Sequence, residues 1–117
     1  MSKKFDKRLF VPLNKEAFKW FKHGKKWEVR KLKGQYNPNN ICTGRRVELR
    51  KGYNGTSLWG NVTNVRVFDD YEKLFDSIDF KHIFPFADSL NHAKTLILNY
   101  VNQNEIIAFK IKLDIDE

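Results

Sequence analysis

Two segments with alternating apolar and polar residues, joined by a short turn, constrain the fold of this chain most. In residues 45–51, Val47 and Leu49 alternate with charged residues, and a second alternating segment, 58–68, follows the turn Gly-Tyr-Asn-Gly. A period of two is typical of half-buried strands, and a tight turn makes two such strands antiparallel neighbours. Because the middle strands are joined in this way, a doubly wound parallel sheet is a poor fit to the sequence.

The other segments supply further strands and helices. Strands are predicted at 8–13, 27–31 and 105–115, and helices after Asn14, after Asp70, and after Asp88 or Ser89. The last helix is expected to bury one stripe of side chains: Leu90, Ala93, Ile97, Tyr100 and Val101. We therefore predict one α+β domain over 1–117, a mixed β-barrel of five to six strands with two to three flanking helices.

The charge of the chain is unevenly distributed. Its 22 Lys and Arg residues against 14 Asp and Glu residues give a net charge of +8. Residues 1–58 carry 16 basic and 4 acidic residues (+12), whereas residues 59–117 carry 6 and 10 (−4). A basic half of this kind attracts polyanions, so we expect RNA or a nucleotide as the partner. The alternative is a solvated surface whose lysines protect strand edges from aggregation.

Other classes of protein find little support in the sequence. Cys42 is the single cysteine and the three histidines lie far apart, so we expect no metal and no cofactor. No apolar stretch is long enough to span a membrane or to form a signal peptide, so we expect a cytoplasmic protein without a membrane partner. The sequence makes no prediction about the oligomeric state.

The strand at 27–31 carries the most suggestive pair of charges. Trp27 and Val29 share one face, which we assign to the barrel, and Glu28 and Arg30 share the other. An arginine held by a glutamate presents a planar set of donors to phosphate, carboxylate or a base edge. The alternative is a surface ion pair of little energetic consequence.

Basic and aromatic side chains also cluster around the loop 33–45, which we interpret as a mobile wall. Proteins that bind single-stranded RNA combine such charges with aromatic faces on which bases stack. The predicted RNA-binding residues are Lys26, Lys31, Lys33, Tyr36, Arg45, Arg46, Arg50 and Trp59.

Several motifs together resemble the ASCH family of PUA-like domains, from about Leu9 to Leu113. They are FKHGKKWEVRKL, TGRRVEL, LWGNVTNVRVFDDYEKLF, HIFPF and EIIAFKIKL. The resemblance implies a β-barrel with a cleft lined by Lys25, Glu28 and Arg30 that binds RNA or nucleotides. Family members usually place a glycine two positions before the motif lysine; here Gly24 directly precedes Lys25, so either Lys25 or Lys26 is the equivalent residue.

The resemblance also brings in enzymatic alternatives. Some similar proteins hydrolyse 4-acetylcytidine with the motif lysine, a threonine and a distant glutamate, and others are ribonucleases. An enzyme of this kind would use Lys25, Lys26 and Glu28, but Glu28 stands where the hydrolases have the threonine. A glutamate stabilises a charged lysine, which suits anion binding better than nucleophilic catalysis. A third alternative is a protein-interaction module whose acidic half docks a basic partner.

Overall fold

The strands and helices form where the sequence pattern predicts them. The computed structural model describes residues 8–101 and 105–116, and its helices and strands follow in chain order: β1 Leu9–Leu13, α1 Lys15–Phe21, β2 Trp27–Lys31, β3 Arg46–Lys51, β4 Ser57–Phe68, α2 Tyr71–Ser77, α3 Leu90–Ile97 and β5 Ile106–Leu113. Short 3₁₀ turns cover Phe80–His82 and Asp114–Asp116.

The five strands form one mixed sheet in the order β1-β3-β4-β5-β2. β3 and β4 form the predicted antiparallel hairpin, and β1 pairs with β3 in the parallel direction. The sheet curls into a half-barrel with β1 and β2 as its two edges, and the predicted α+β barrel with flanking helices is thereby confirmed. Pro12 lies on edge strand β1, where its missing N–H costs no ladder hydrogen bond.

Each helix begins at a capping side chain that satisfies an otherwise unpaired amide. Asn14, Asp70 and Ser89 accept hydrogen bonds from the third residue beyond them. The third helix is shorter than predicted, because after Ile97 the chain continues in a tight turn in which the N–H of Tyr100 donates to the carbonyl of Ile97. Ala93, Ile97 and Val101 are buried as expected, whereas Leu90 is exposed.

The hydrophobic core consists of two clusters, one on each face of the sheet. The inner cluster fills the half-barrel and includes Ile107 and Phe109, while the outer cluster packs α2 and α3 against Trp27 and Val29. Glu28 lies opposite Phe109 in the register and Arg30 opposite Ile107, so both charged side chains face the barrel interior. The assignment of Trp27 and Val29 to the barrel interior was therefore wrong, because helices cover their face of β2 instead.

Candidate ligand-binding cleft

Lys25 is buried between the exit of α1 and the 80–87 segment. Only 6% of its surface is exposed, and its Nζ donates a hydrogen bond of 2.8 Å to the carbonyl of Ile83. Three aromatic rings have their centres 5.4–5.8 Å from this Nζ: Trp20, Phe21 and Phe84. The rings and the carbonyl therefore solvate the ammonium group in place of water.

The carboxylate of Glu28 lies between two cations. Its Oε1 is 3.6 Å from Nζ of Lys25, and its Oε2 accepts a hydrogen bond of 2.6 Å from Nε of Arg30. Glu28 is buried and the Arg30 side chain is 23% exposed. Lys25, Glu28 and Arg30, which the sequence singled out, thus form one continuous polar group inside the barrel.

Arg30 also joins the two edges of the sheet. From β2 its guanidinium donates to the carbonyl of Pro12 on β1, at 2.9 Å, and to the hydroxyl of Tyr36, at 3.1 Å. The guanidinium carbon lies 5.0 Å from the ring centre of Tyr36, whose ring stacks on Phe109. Arg30 is therefore both a residue of the candidate site and part of the closure of the barrel.

The environment shifts the pKa of both Lys25 and Tyr100. Burial lowers the pKa of Lys25 from 10.5 to about 8, the carboxylate of Glu28 opposes this shift, and the charge of Arg30 adds to it. Burial also raises the pKa of Tyr100, against a hydrogen bond with Asn14 that lowers it. Lys25 is consequently largely protonated near pH 7 and titrates within reach of neutral pH.

Tyr100 lines both a small cavity and a larger cleft. The small cavity, lined by Lys25, Glu28 and Tyr100 among others, has a volume of about 10 Å³, enough for about one water molecule. On the other side of Tyr100 lies a cleft of about 370 Å³, which we call the tyrosine cleft. It is lined by Arg30, Lys31, Lys33, Gly34, Gln35, Tyr36 and Tyr100.

The structure divides the predicted RNA-binding residues among several surfaces. Lys31, Lys33 and Tyr36 line the tyrosine cleft, but the exposed side chain of Lys26 lies outside it, in a pocket next to β5. Lys25, and not Lys26, is the lysine that meets Glu28. Arg45 is buried and supports the 33–45 loop by donating to the backbone carbonyl and the side chain of Asn40.

Arg46, Arg50 and Trp59 lie on the opposite face of the sheet from the cleft. Val47 and Leu49 face the barrel interior, so strand alternation directs Arg46, Arg50 and, opposite Glu48, Trp59 outward. Arg46 pairs with Asp114 and lies 5.6 Å from the Trp59 ring centre, while Arg50 pairs with Glu48. These three residues therefore do not lie beside Lys25, Glu28 and Arg30, although the sequence analysis grouped all of them around one ligand.

The sequence interpretation missed three groups of the site. Tyr100 was assigned to a helix stripe, and the carbonyls of Ile83 and Pro12 carry no signal in their residue types. A tyrosine in an otherwise aliphatic stripe was the available indication for Tyr100, because its hydroxyl needs a polar neighbour when it is half-buried.

The described part of the chain contains neither a group of metal-ligating side chains nor a helix that could span a membrane. Among residues 8–101 and 105–116, no three His, Cys, Asp or Glu side chains are grouped so as to hold a metal ion. No helix in the same part of the chain has the length and apolar character needed to cross a bilayer.

Known proteins match this chain in structure, but no family model and no curated sequence does. No protein-family model matches the chain, and no curated protein matches it in sequence. The hypothetical protein PH0355 is similar with a TM-score of 0.74 at 17% identity, covering 92% of this chain and 99% of its own. PF0455 from Pyrococcus furiosus follows with a TM-score of 0.68 at 16% identity, covering 92% and 98%.

A mutant of ZmASCH from Zymomonas mobilis is similar with a TM-score of 0.60 at 14% identity, covering 88% of this chain and 67% of its own. The chain has an ASCH-like fold. At these identities the likeness extends to the fold alone, and the chemistry of this ASCH-like chain has to be argued from its own residues.

Proposed function

We propose that the protein binds single-stranded RNA or a nucleotide in the tyrosine cleft. The observation that carries the proposal is the convergence of Arg30, Lys31 and Lys33 on an open cleft of about 370 Å³ that also contains two tyrosines. Within the described part of the chain, neither Lys31 nor Lys33 has a carboxylate within 4 Å. Their charges are therefore free to neutralise phosphates, and RNA binding releases the counterions that phosphates hold in solution.

The two tyrosines have different parts in this proposal. Tyr36 has its ring faces occupied by Phe109 and by the Arg30 guanidinium, so it holds Arg30 in position. Tyr100 is half-buried at the cleft wall and supplies the ring on which a base stacks. Lys31 and Lys33 contact the phosphates, which gives binding that tolerates many sequences but depends strongly on salt.

The test is the affinity for a fluorescently labelled oligouridine, measured by anisotropy over a series of salt concentrations. Lys31→Ala with Lys33→Ala is expected to weaken binding roughly tenfold at low salt. It should also lower the slope of log K against log salt by about 1.4, since each phosphate contact on a single strand contributes about 0.7. Tyr100→Leu should weaken binding by about 1 kcal/mol or more, whereas Tyr100→Phe, which keeps the ring, should not.

The matched control removes two exposed lysines outside the cleft, Lys15→Ala with Lys51→Ala, and changes the net charge by the same amount. Equal losses of affinity in the cleft pair and the control pair would contradict the proposal, because only total charge would then matter. So would an affinity of the wild-type protein that does not fall as salt rises.

One observation favours a second function, hydrolysis of a modified nucleoside such as 4-acetylcytidine. Burial brings the pKa of Lys25 to about 8, so a fraction of its amine is neutral near physiological pH, as a nucleophile or general base requires. The cavity at Lys25 admits no nucleoside unless Tyr100 moves. This function is supported if the protein turns over 4-acetylcytidine and if Lys25→Ala abolishes the turnover while Lys26→Ala preserves it. Absence of turnover by the wild-type protein would eliminate it.

A further inference from the structure

A second and larger pocket lies at the opposite end of β2 from the tyrosine cleft. It has a volume of about 570 Å³ and is lined by five lysines: the buried Lys25, which pairs with Glu28, and Lys22, Lys26, Lys110 and Lys112. Phe21, Ile111 and Ile115 provide apolar surface between them. We call it the lysine pocket, and nothing in the tyrosine cleft accounts for it.

The fold gathers these lysines from three segments that are distant in sequence. Lys22 ends α1, and Lys110 and Lys112 are two residues apart on β5, so their side chains project from the same face. Lys26 is fixed beside β5, because its N–H donates to the carbonyl of His82 and its carbonyl accepts from the N–H of Ile111. The cluster is thus a product of backbone pairing.

Lys25 is paired with Glu28, but Lys22, Lys26, Lys110 and Lys112 have no carboxylate partner within the described part of the chain. Among the residues that the structure describes, no carboxylate lies within 4 Å of the Nζ of any of these four lysines. The outward face of β3 and β4 differs, since Arg46 and Arg50 there are paired with Asp114 and Glu48. Four like charges around one concave surface repel one another, and an anion bound between them relieves that repulsion.

We propose that the lysine pocket binds backbone phosphates of a single-stranded RNA, as a second contact point for the strand whose other part occupies the tyrosine cleft. Lys26 and Lys31 lie at the two ends of β2, and five residues of extended chain span about 17 Å. A mononucleotide cannot contact both pockets, whereas an oligonucleotide can. The inference rests on the proposed function for the identity of the ligand, but the pocket itself is separate from the cleft.

The experiment compares two probes, AMP and an oligouridine of about twelve nucleotides, which is within the range of sites on single-stranded-nucleic-acid binding domains. Lys110→Ala with Lys112→Ala is expected to weaken oligouridine binding roughly tenfold and to lower its salt slope by about 1.4. The same pair should leave AMP binding unchanged. The control pair Lys15→Ala with Lys51→Ala again corrects for net charge, and thermal unfolding of each variant establishes that it is folded.

The outcomes separate this inference from the proposed function. One outcome is oligouridine binding that depends on Lys31 and Lys33 and yet responds to the Lys110 and Lys112 substitutions no more than to the control pair. That result would overturn the role of the lysine pocket and leave the tyrosine cleft unaffected. Dependence on Lys110 and Lys112, with no effect of Lys31 and Lys33, would overturn the role of the cleft and retain the pocket. Equal weakening of AMP and oligouridine by the Lys110 and Lys112 pair would contradict a contact made only by longer strands.

Discussion

The side chain of Lys25 is almost completely buried. A carbonyl at 2.8 Å, a carboxylate at 3.6 Å and three aromatic rings replace its hydration shell. Burial nevertheless outweighs these contacts, because it lowers the pKa of Lys25 to about 8. The folded protein therefore binds the proton on this residue less tightly than the unfolded chain does.

This difference predicts how Lys25 makes stability depend on pH. Between pH 8 and 10.5 the unfolded chain carries more protons at this position than the folded one, so the contribution of Lys25 to the free energy of unfolding increases as pH rises. The difference in stability between the wild type and Lys25→Met is expected to change by up to about 3 kcal/mol across this interval. Guanidinium titrations followed by tryptophan fluorescence measure it.

Lys26→Met is the control for this prediction, since its side chain is the exposed neighbour on the same segment. That variant should keep the pH dependence of the wild type. A parallel pH dependence in the wild type and in Lys25→Met would show that Lys25 titrates as an exposed lysine does.

At the scale of strands and helices, the sequence predicted the fold well because each prediction rested on a local cause. The alternation in β3 and the caps at Asn14 and Asp70 operate within a few residues, and the structure contains them as predicted. The sequence did not predict which layer of the fold covers each face of a strand. The pattern of Trp27 and Val29 distinguishes two faces of β2 but does not say that helices distant in sequence pack on one of them.

In the candidate site, too, the sequence predicted local contacts but not those made through tertiary packing. Lys25, Glu28 and Arg30 converge because they are neighbours on one short segment, whereas Tyr100 joins them only through tertiary structure. Trp59 was grouped with them through its aromatic character, and its position on β4 directs it outward. Local spacing therefore predicted which charged residues meet at the centre of the candidate site, but not which residues form its walls.

The 33–45 loop depends on one buried arginine. Arg45 donates to both the carbonyl and the side chain of Asn40, and Ile41 anchors the loop in the inner cluster. Arg45→Met removes these hydrogen bonds to part-buried acceptors, and we expect a cost toward the lower end of the about 1–3 kcal/mol that a buried unpaired group carries. We expect faster amide hydrogen exchange at Asn40 and Ile41, with exchange in the β4–β5 ladder unchanged.

A uniform increase in exchange over the whole sheet would contradict this, because it would mean that Arg45 stabilises the fold globally. Lys51→Met, at an exposed position at the end of β3, is the control for removing a basic side chain. The prediction that the loop is mobile in the wild type remains a prediction, and the same exchange data test it.

At the scale of the whole molecule, a hydrogen bond from Arg30 to the Pro12 carbonyl joins the two edges of the half-barrel. Arg30→Met leaves Glu28 buried with Lys25 as its remaining charged partner, so we expect a cost below the roughly 3–5 kcal/mol of a buried charge left without any partner. Adding Glu28→Gln removes the other member of the same ion pair, so the double variant should be less destabilised than the sum of the single variants. Chemical denaturation of the four proteins measures the coupling.

Amide exchange in β1 provides the spatial readout for the same variants. Loss of the bond from Arg30 to the Pro12 carbonyl should speed exchange in β1 more than in the central strand β4. Strictly additive effects of the two substitutions, or unchanged exchange in β1, would rule out a closure that depends on Arg30.

The position of Arg30 also bears on how a protein of this shape can diversify. One side chain on edge strand β2 donates to Pro12 on the opposite edge and to Tyr36 in the 33–45 loop, and it borders the cleft where a ligand is proposed to bind. A substitution that altered ligand preference at this position would loosen the sheet in the same step, and most proteins have little stability to lose. New specificities are therefore more accessible through the cleft walls, at Lys31, Lys33 and Tyr100, than through the arginine at its centre.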